Sequence, residues 1–201
     1  MNALRTSGTS AEIIRDIFAL HFPEAREVVD LTYGKGTFWK WPIDFVLIPN
    51  DKFASPDCEF REDFTATCWP CDEFHIAVFD PPFTANGPSK EGHQKRYGAD
   101  RSQDGAPQNI SDVHRLLRLG TLEACRIASE GVIVKTQDVI ESGKYHDSEG
   151  VARDALREAG WRIIDTVRFL KGRRPQPDAA RGSRIQHFRN RPSVFLIARP
   201  A

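Results

Sequence analysis

Ile76-Ala77-Val78-Phe79-Asp80-Pro81-Pro82-Phe83 reads as a strand that stops at an acid, two prolines and an aromatic ring. Four consecutive apolar residues predict a strand covered on both faces, as in parallel sheets. The prolines end it, because neither can donate to a sheet ladder. They also fix φ, so the Pro81 carbonyl is aimed in advance. Asp80 and that carbonyl are two acceptors side by side, and Phe83 adds a flat apolar surface. This corner suits an exocyclic amine on a heteroaromatic ring. Such an amine is a poor nucleophile because its lone pair is delocalised into the ring. Two acceptors holding its protons would localise that pair, and Phe83 could stack on the base that carries it.

Working outward, short apolar runs alternate with helical patterns. Ser10 is placed as an N-cap, with Ile13, Ile14, Ile17, Phe18 and Leu20 at helical spacing behind it and Pro23 ending the helix. Residues 1–9 read as a loose polar segment. Strands are expected at 27–32, 45–48, 76–79, 132–135, 162–170 and 193–198. Ser111 or Asp112 is expected to cap a helix presenting Val113, Leu116, Leu117, Leu119, Leu122 and Ile127 on one broad face. A further helix spans 147–159, with Gly160 just past its end. This alternation predicts an α/β fold: one domain over residues 1–201, doubly wound, with a mostly parallel sheet and helices on both faces. Ligands of such sheets sit at the carboxyl ends of the strands.

Gly34, Gly36, Asp51 and Asp80 all fall at those ends. Asp30-Leu31-Thr32-Tyr33-Gly34-Lys35-Gly36 is a strand running into a Gly-x-Gly turn, where backbone can approach a ligand closely. Trp39 stands where a dinucleotide fingerprint would place its third glycine, which argues against a nicotinamide cofactor. Asn50 and Asp51 follow the second strand, and Asp51 is placed to accept from ribose hydroxyls. Asp63 and Phe64 precede the third, where a carboxylate can meet an adenine amine and a ring can pack on the base.

Within 201 residues, 28 Lys and Arg balance 28 Asp and Glu, so no global charge demands a polyanionic partner. The distribution is less even. Residues 171–191 hold Lys171, Arg173, Arg174, Arg181, Arg184, His187, Arg189 and Arg191 against the single acid Asp178. Pro175, Pro177 and Gly182 make this segment a loop. Residues 84–109 form a second long polar loop containing Lys90, His93, Lys95, Arg96, Tyr97 and Arg101. The first suits contacts to phosphates, and the second reads as a lid or target-strand clamp that orders on nucleic acid. No apolar run is long enough to span a membrane, the first residues lack a secretory signal's apolar core, and a cytoplasmic location is expected. Cys68-x-x-Cys71, with Cys58 and His75, has zinc-ligand residue types but lacks a second spaced pair, so reduced cysteines and no metal are expected.

These motifs resemble those of class I S-adenosylmethionine-dependent methyltransferases with a Rossmann-like sheet. Within that class the chain is similar to the DNA amino-methyltransferases that make N6-methyladenine or N4-methylcytosine. Asp80-Pro81-Pro82-Phe83 matches their catalytic motif and leans toward adenine. Residues 30–36 match their first cofactor motif, with Thr32-Tyr33 where Phe-x-Gly is commoner. The resemblance covers about residues 10–170. A narrower likeness to short bacterial and phage DNA methyltransferases rests on Lys135-Thr136-Gln137-Asp138 and on His187-Phe188-Arg189-Asn190-Arg191-Pro192-Ser193. The resemblance implies S-adenosyl-L-methionine as cofactor, double-stranded DNA as partner, and a flipped base as acceptor. It implies catalytic roles for Asp80, Pro81, Pro82 and Phe83. Cofactor contacts fall to Asp30, Thr32, Tyr33, Gly34, Gly36, Asn50, Asp51, Asp63 and Phe64. Substrate contacts fall to Lys135, Asp138, Arg173, Arg174, Arg184, His187, Arg189 and Asn190. An RNA methyltransferase acting on adenine N6 or guanine N2, and a binding module without turnover, are the alternatives.

Overall fold

The computed structural model describes residues 2–52, 58–84, 107–141, 143–170 and 191–201. In chain order the elements are β1 (Asn2–Arg5), α1 (Ser10–His21), β2 (Glu27–Asp30), β3 (Val46–Pro49), β4 (Phe74–Phe79), α2 (Ile110–Ile127) and β5 (Ala128–Thr136). There follow β6 (Val139–Glu141), β7 (Lys144–His146), α3 (Ser148–Glu158), β8 (Trp161–Phe169) and β9 (Ser193–Pro200). Seven strands form one sheet in the order β1-β8-β9-β5-β4-β2-β3, and β6 and β7 make a separate hairpin. Every pairing in the large sheet is parallel except those of β9, which runs antiparallel between β5 and β8.

Strand alternation sorts the core into two layers. Val29, Ala77, Phe79, Val132, Val134, Leu196 and Ala198 face α2 and α3. Val28, Ile76, Val78, Ile133, Phe195 and Ile197 face α1. Phe38, Trp39, Trp41 and Phe45, from the segment joining β2 to β3, complete the α1 side. The expected doubly wound sheet with helices on both faces is therefore present. Among the described residues, the β2–β3 and β3–β4 connections are turns and bridges, not helices.

Several boundaries differ from expectation. Residues 2–5 are a parallel edge strand on β8, not a loose segment. Its one large apolar residue, Leu4, is 69% exposed, so the strand leaves no burial pattern to read. Thr9, not Ser10, caps α1: its backbone is extended and its side chain accepts from the Glu12 N–H in a capping box. Asn109, not Ser111 or Asp112, caps α2 for the same reason. The buried stripe of α2 runs through Val113, Leu117, Gly120, Thr121, Ala124 and Ile127, while Leu116, Leu119 and Leu122 are half-buried. β2 ends at Asp30 because the Thr32 N–H turns back to donate to the Asp30 carboxylate. The β6–β7 hairpin has no counterpart in the sequence reading.

Candidate active site

The chain leaves β2 to form β3 on one side and returns to form β4 on the other. The point of reversal between β2 and β4 is where open α/β sheets bind ligands. Asp30 ends β2 and Asp80 follows β4, so the two acids flank it. Strand parity puts Asp30 with Val28, Asp80 with Val78, and Lys135 with Ile133, all on the α1 side of the sheet.

The loop after β2 is held shape-first. Gly34 and Gly36 adopt φ of 57° and 60°, the left-handed region that favours glycine. The Gly36 N–H donates to the Tyr33 carbonyl at 2.9 Å, and the Gly34 N–H donates to Oδ2 of Asp51 at 3.0 Å. A Cβ on Gly36 would meet Oη of Tyr33 at 2.5 Å, so the Tyr33 ring lies over that glycine. Asn50 is fully buried: its amide donates to the carbonyls of Leu31 and Glu62 and accepts from the Glu62 N–H. Of the expected cofactor residues, Asn50 and Asp51 thus support the loop with the atoms just named. Asp63 accepts from Lys52 and from both donors of Thr65. Burial pushes its carboxyl up, but Lys52 and Thr65 outweigh this and hold it below the usual range. The Phe64 ring packs on Phe79 with centroids 5.2 Å apart.

Asp30 is buried and accepts from the Thr32 N–H at 3.0 Å and from Nε1 of Trp39 at 2.7 Å. Burial pushes its carboxyl up to about 7 despite these donors, and the charges of Asp80 and Asp51 push the same way. An unfolded aspartate titrates at about 3.9, so the folded state binds the proton more tightly. Asp30 therefore contributes stability fully below about pH 4 and loses it as pH rises through about 7. The Tm of Asp30→Asn should gain on the wild type between pH 5 and pH 8, measured by differential scanning fluorimetry. A gap that stays constant across that window would refute a buried, proton-holding Asp30.

Asp80 is tied to this loop and to β5. Its N–H donates to Oγ1 of Thr32 at 2.8 Å, joining the acidic corner to the glycine loop. Its Oδ2 accepts from Nζ of Lys135 at 2.7 Å. Burial pushes the Asp80 carboxyl up, and the Lys135 ammonium pulls it back. Nζ of Lys135 lies 5.1 Å from the Phe38 ring centroid, 5.0 Å from Phe83 and 5.8 Å from Phe195. Phe195 is its register partner on β9. Pro81 is buried, and Pro82 and Phe83 are half-buried.

Asp138, two residues past β5, accepts from Oη of Tyr145 at 2.8 Å and from the Glu149 N–H at 3.0 Å. It anchors the β6–β7 hairpin to the start of α3. Gln137 donates to the Arg191 carbonyl, and the Arg191 guanidinium lies 5.0 Å from the Tyr145 ring centroid. The β5 end thereby meets the segment entering β9. Arg173, Arg174, Arg184, His187, Arg189 and Asn190 lie outside the described residues, as do residues 85–106 of the polar loop. Phe38, Trp39 and Phe195 were missed by sequence reasoning. Their signal is their aromatic character beside strand ends, which packing alone also explains. Cys71 faces Arg126 and His75 accepts from the Glu27 N–H. Among the described residues no group of His, Cys, Asp or Glu is placed to hold a metal. Among them, too, no helix is long and apolar enough to cross a membrane.

No family model matches the chain, and no curated protein matches it in sequence. Solved structures do. A candidate methyltransferase of Bacillus halodurans aligns over 96% of this chain and 100% of its own, at 13% identity and a TM-score of 0.56. The fold is that of class I methyltransferases. Identity this low shows the fold alone. The [4+2]-cyclase SpnF shares it over 94% of this chain and 80% of its own, at 10% identity and a TM-score of 0.52. The class I methyltransferase fold thus leaves the reaction to be argued from the site. A candidate DNA modification methylase of Thermus thermophilus, crystallised with S-adenosyl-L-methionine, aligns at 14% identity over 66% of this chain. The match spans about half of that protein, 48%, and its TM-score of 0.41 carries no argument.

Proposed function

We propose that this chain is an S-adenosylmethionine-dependent methyltransferase that methylates the exocyclic amine of a flipped base in double-stranded DNA, adenine N6 first. The observation that supports it most is the placement of Asp80. It sits at the point where the sheet reverses, fastened to the glycine loop through Thr32 and backed by Pro81, Pro82 and Phe83.

The residues at the strand ends suit the cofactor. Asp30 and Asp51 place two carboxylates there; burial raises Asp30 most, and the Asp51 charge adds to it. A cationic guest relieves that repulsion. The glycine loop would hold the amino-acid end, with the ribose near Asp51 and the adenine near Asp63 and Phe64. When bound, the cofactor supplies a methyl group on a positively charged sulfur.

The chain's own residues do the rest by orientation. Asp80 and the Pro81 carbonyl accept hydrogen bonds from the two N–H groups of the amine, turning its lone pair out of conjugation. Phe83 stacks on the base and fixes its plane. Transfer would break the sulfur–methyl bond and leave a neutral thioether, and the proton lost from the amine nitrogen would pass along its hydrogen bond to the Asp80 carboxylate and from there to water. Holding the reactants in line and placing charge in advance carry the rate. The basic residues 171–191 would bind phosphates of the flanking strand, so binding should weaken steeply with salt.

Incubation with tritiated S-adenosylmethionine and, separately, unmethylated genomic DNA and total RNA tests this, with the labelled nucleoside identified after digestion. Label in N6-methyldeoxyadenosine is the expected result. Label only in RNA would keep the chemistry and replace the substrate. Cofactor binding with no label in either would overturn the enzymatic reading.

A further inference from the structure

We infer that Lys135 is a positioning residue, whose ammonium ties Oδ2 of Asp80 against an aromatic wall and so assigns the other oxygen to the amine. The inference rests on the methyltransferase reading above. Its basis is geometric. The Nζ–Oδ2 distance is 2.7 Å, and the Lys135 side chain is only 12% exposed. Three rings surround the ammonium, from three different parts of the chain: Phe38 after the glycine loop, Phe83 in the acidic corner and Phe195 on β9. Among the described residues no side chain donates to Oδ1 of Asp80, and the Asp80 side chain keeps 23% of its surface open.

The arrangement has two consequences. First, an ammonium walled by ring faces keeps its attraction to Asp80, because little water screens it. That attraction favours the charged carboxylate where burial disfavours it. Second, a carboxylate with one oxygen fixed cannot rotate to offer either oxygen at random. The acceptor presented to a base is the same one in every molecule. Lys135 forms no bond to the base in this scheme; it acts through Asp80.

Lys135→Met keeps the chain length and the ring contacts but removes the charge. Two readouts decide the case. In the first, the carboxyl carbon of Asp80 is followed by NMR against pH in both proteins. Asp80 should titrate clearly higher in the variant, the effect of losing one adjacent opposite charge. In the second, kcat for methyl transfer should fall about 30-fold, with cofactor Kd within about twofold and the acidic limb of the pH–rate profile moved upward. Lys135→Arg should restore most of the acidic limb. Equal Asp80 titration in wild type and Lys135→Met overturns the inference whatever the enzyme's substrate proves to be. A shifted titration with unchanged kcat overturns it too. A wild type that methylates no nucleic acid overturns the reading beneath it, and the titration then reports on the Asp80–Lys135 tie by itself.

Discussion

Asp80→Ala is expected to reduce methyl transfer by about 10²–10³-fold while leaving cofactor affinity within about threefold, because it deletes one of the two groups that meet charge developing on the amine. The cofactor side of the site is built by other residues. Gly34 is held by Asp51, and Asp30 is held by Thr32 and Trp39. The Asp80 backbone N–H still reaches Thr32 in the alanine variant, so the loop keeps that tether. The truncation also leaves Lys135 without its carboxylate, and a buried charge stripped of its partner is destabilising. Asp80→Asn is the control: it fills the same space and keeps an acceptor, and it should retain more activity than alanine. Single-turnover assays with labelled cofactor, paired with calorimetry of cofactor binding, separate the two losses. Equal loss of binding and of turnover in Asp80→Ala would place Asp80 in cofactor binding and remove it from the acceptor side.

The sheet was legible in the sequence because buried parallel strands announce themselves as apolar runs. Ile76 to Phe79 and Val132 to Val134 need no partner information to be recognised. The corner at Asp80 was legible for a similar reason: prolines after a buried strand are local signals. What sequence reading lost depends on contacts between distant segments. Asn50 reads as a ligand-facing polar residue, and only the structure adds that its amide holds Leu31 and Glu62. Asp138 reads as a pocket residue, and only the structure adds that it also accepts from Tyr145 and the Glu149 N–H. Lys135 was placed at the site, but its cage draws on Phe38 and Phe195, 97 residues below and 60 above it in the chain. Caps shifted by one to three residues because Thr9 and Ser10, like Asn109, Ser111 and Asp112, are all good capping types, and only backbone geometry chooses between them.

Gly120→Ala should destabilise the protein by about 2–3 kcal/mol, although alanine favours helix over glycine by about 1 kcal/mol in an unpacked setting. Gly120 lies on the buried stripe of α2, directly over Phe79. A Cβ there would meet Cζ of Phe79 at 2.2 Å and both Cε atoms within 2.8 Å. The Phe79 ring is fully buried and has Phe64 packed on it, so it has no open space to swing into. Relief must come from moving α2 off β4 or from forcing the ring off its rotamer, and both cost more than helix propensity returns. In a chain of this size the loss corresponds to a Tm lower by about 5–10 °C. The shift should reach the site as well, since Asp80 is the next residue after Phe79. Phe79→Leu removes the ring atoms that clash, so the double variant Gly120→Ala/Phe79→Leu should be more stable than the sum of its single changes predicts. Thermal melts of the four proteins in one cycle decide it. Strict additivity, or a Gly120→Ala protein at least as stable as wild type, would mean that α2 does not press on the strand that carries Asp80.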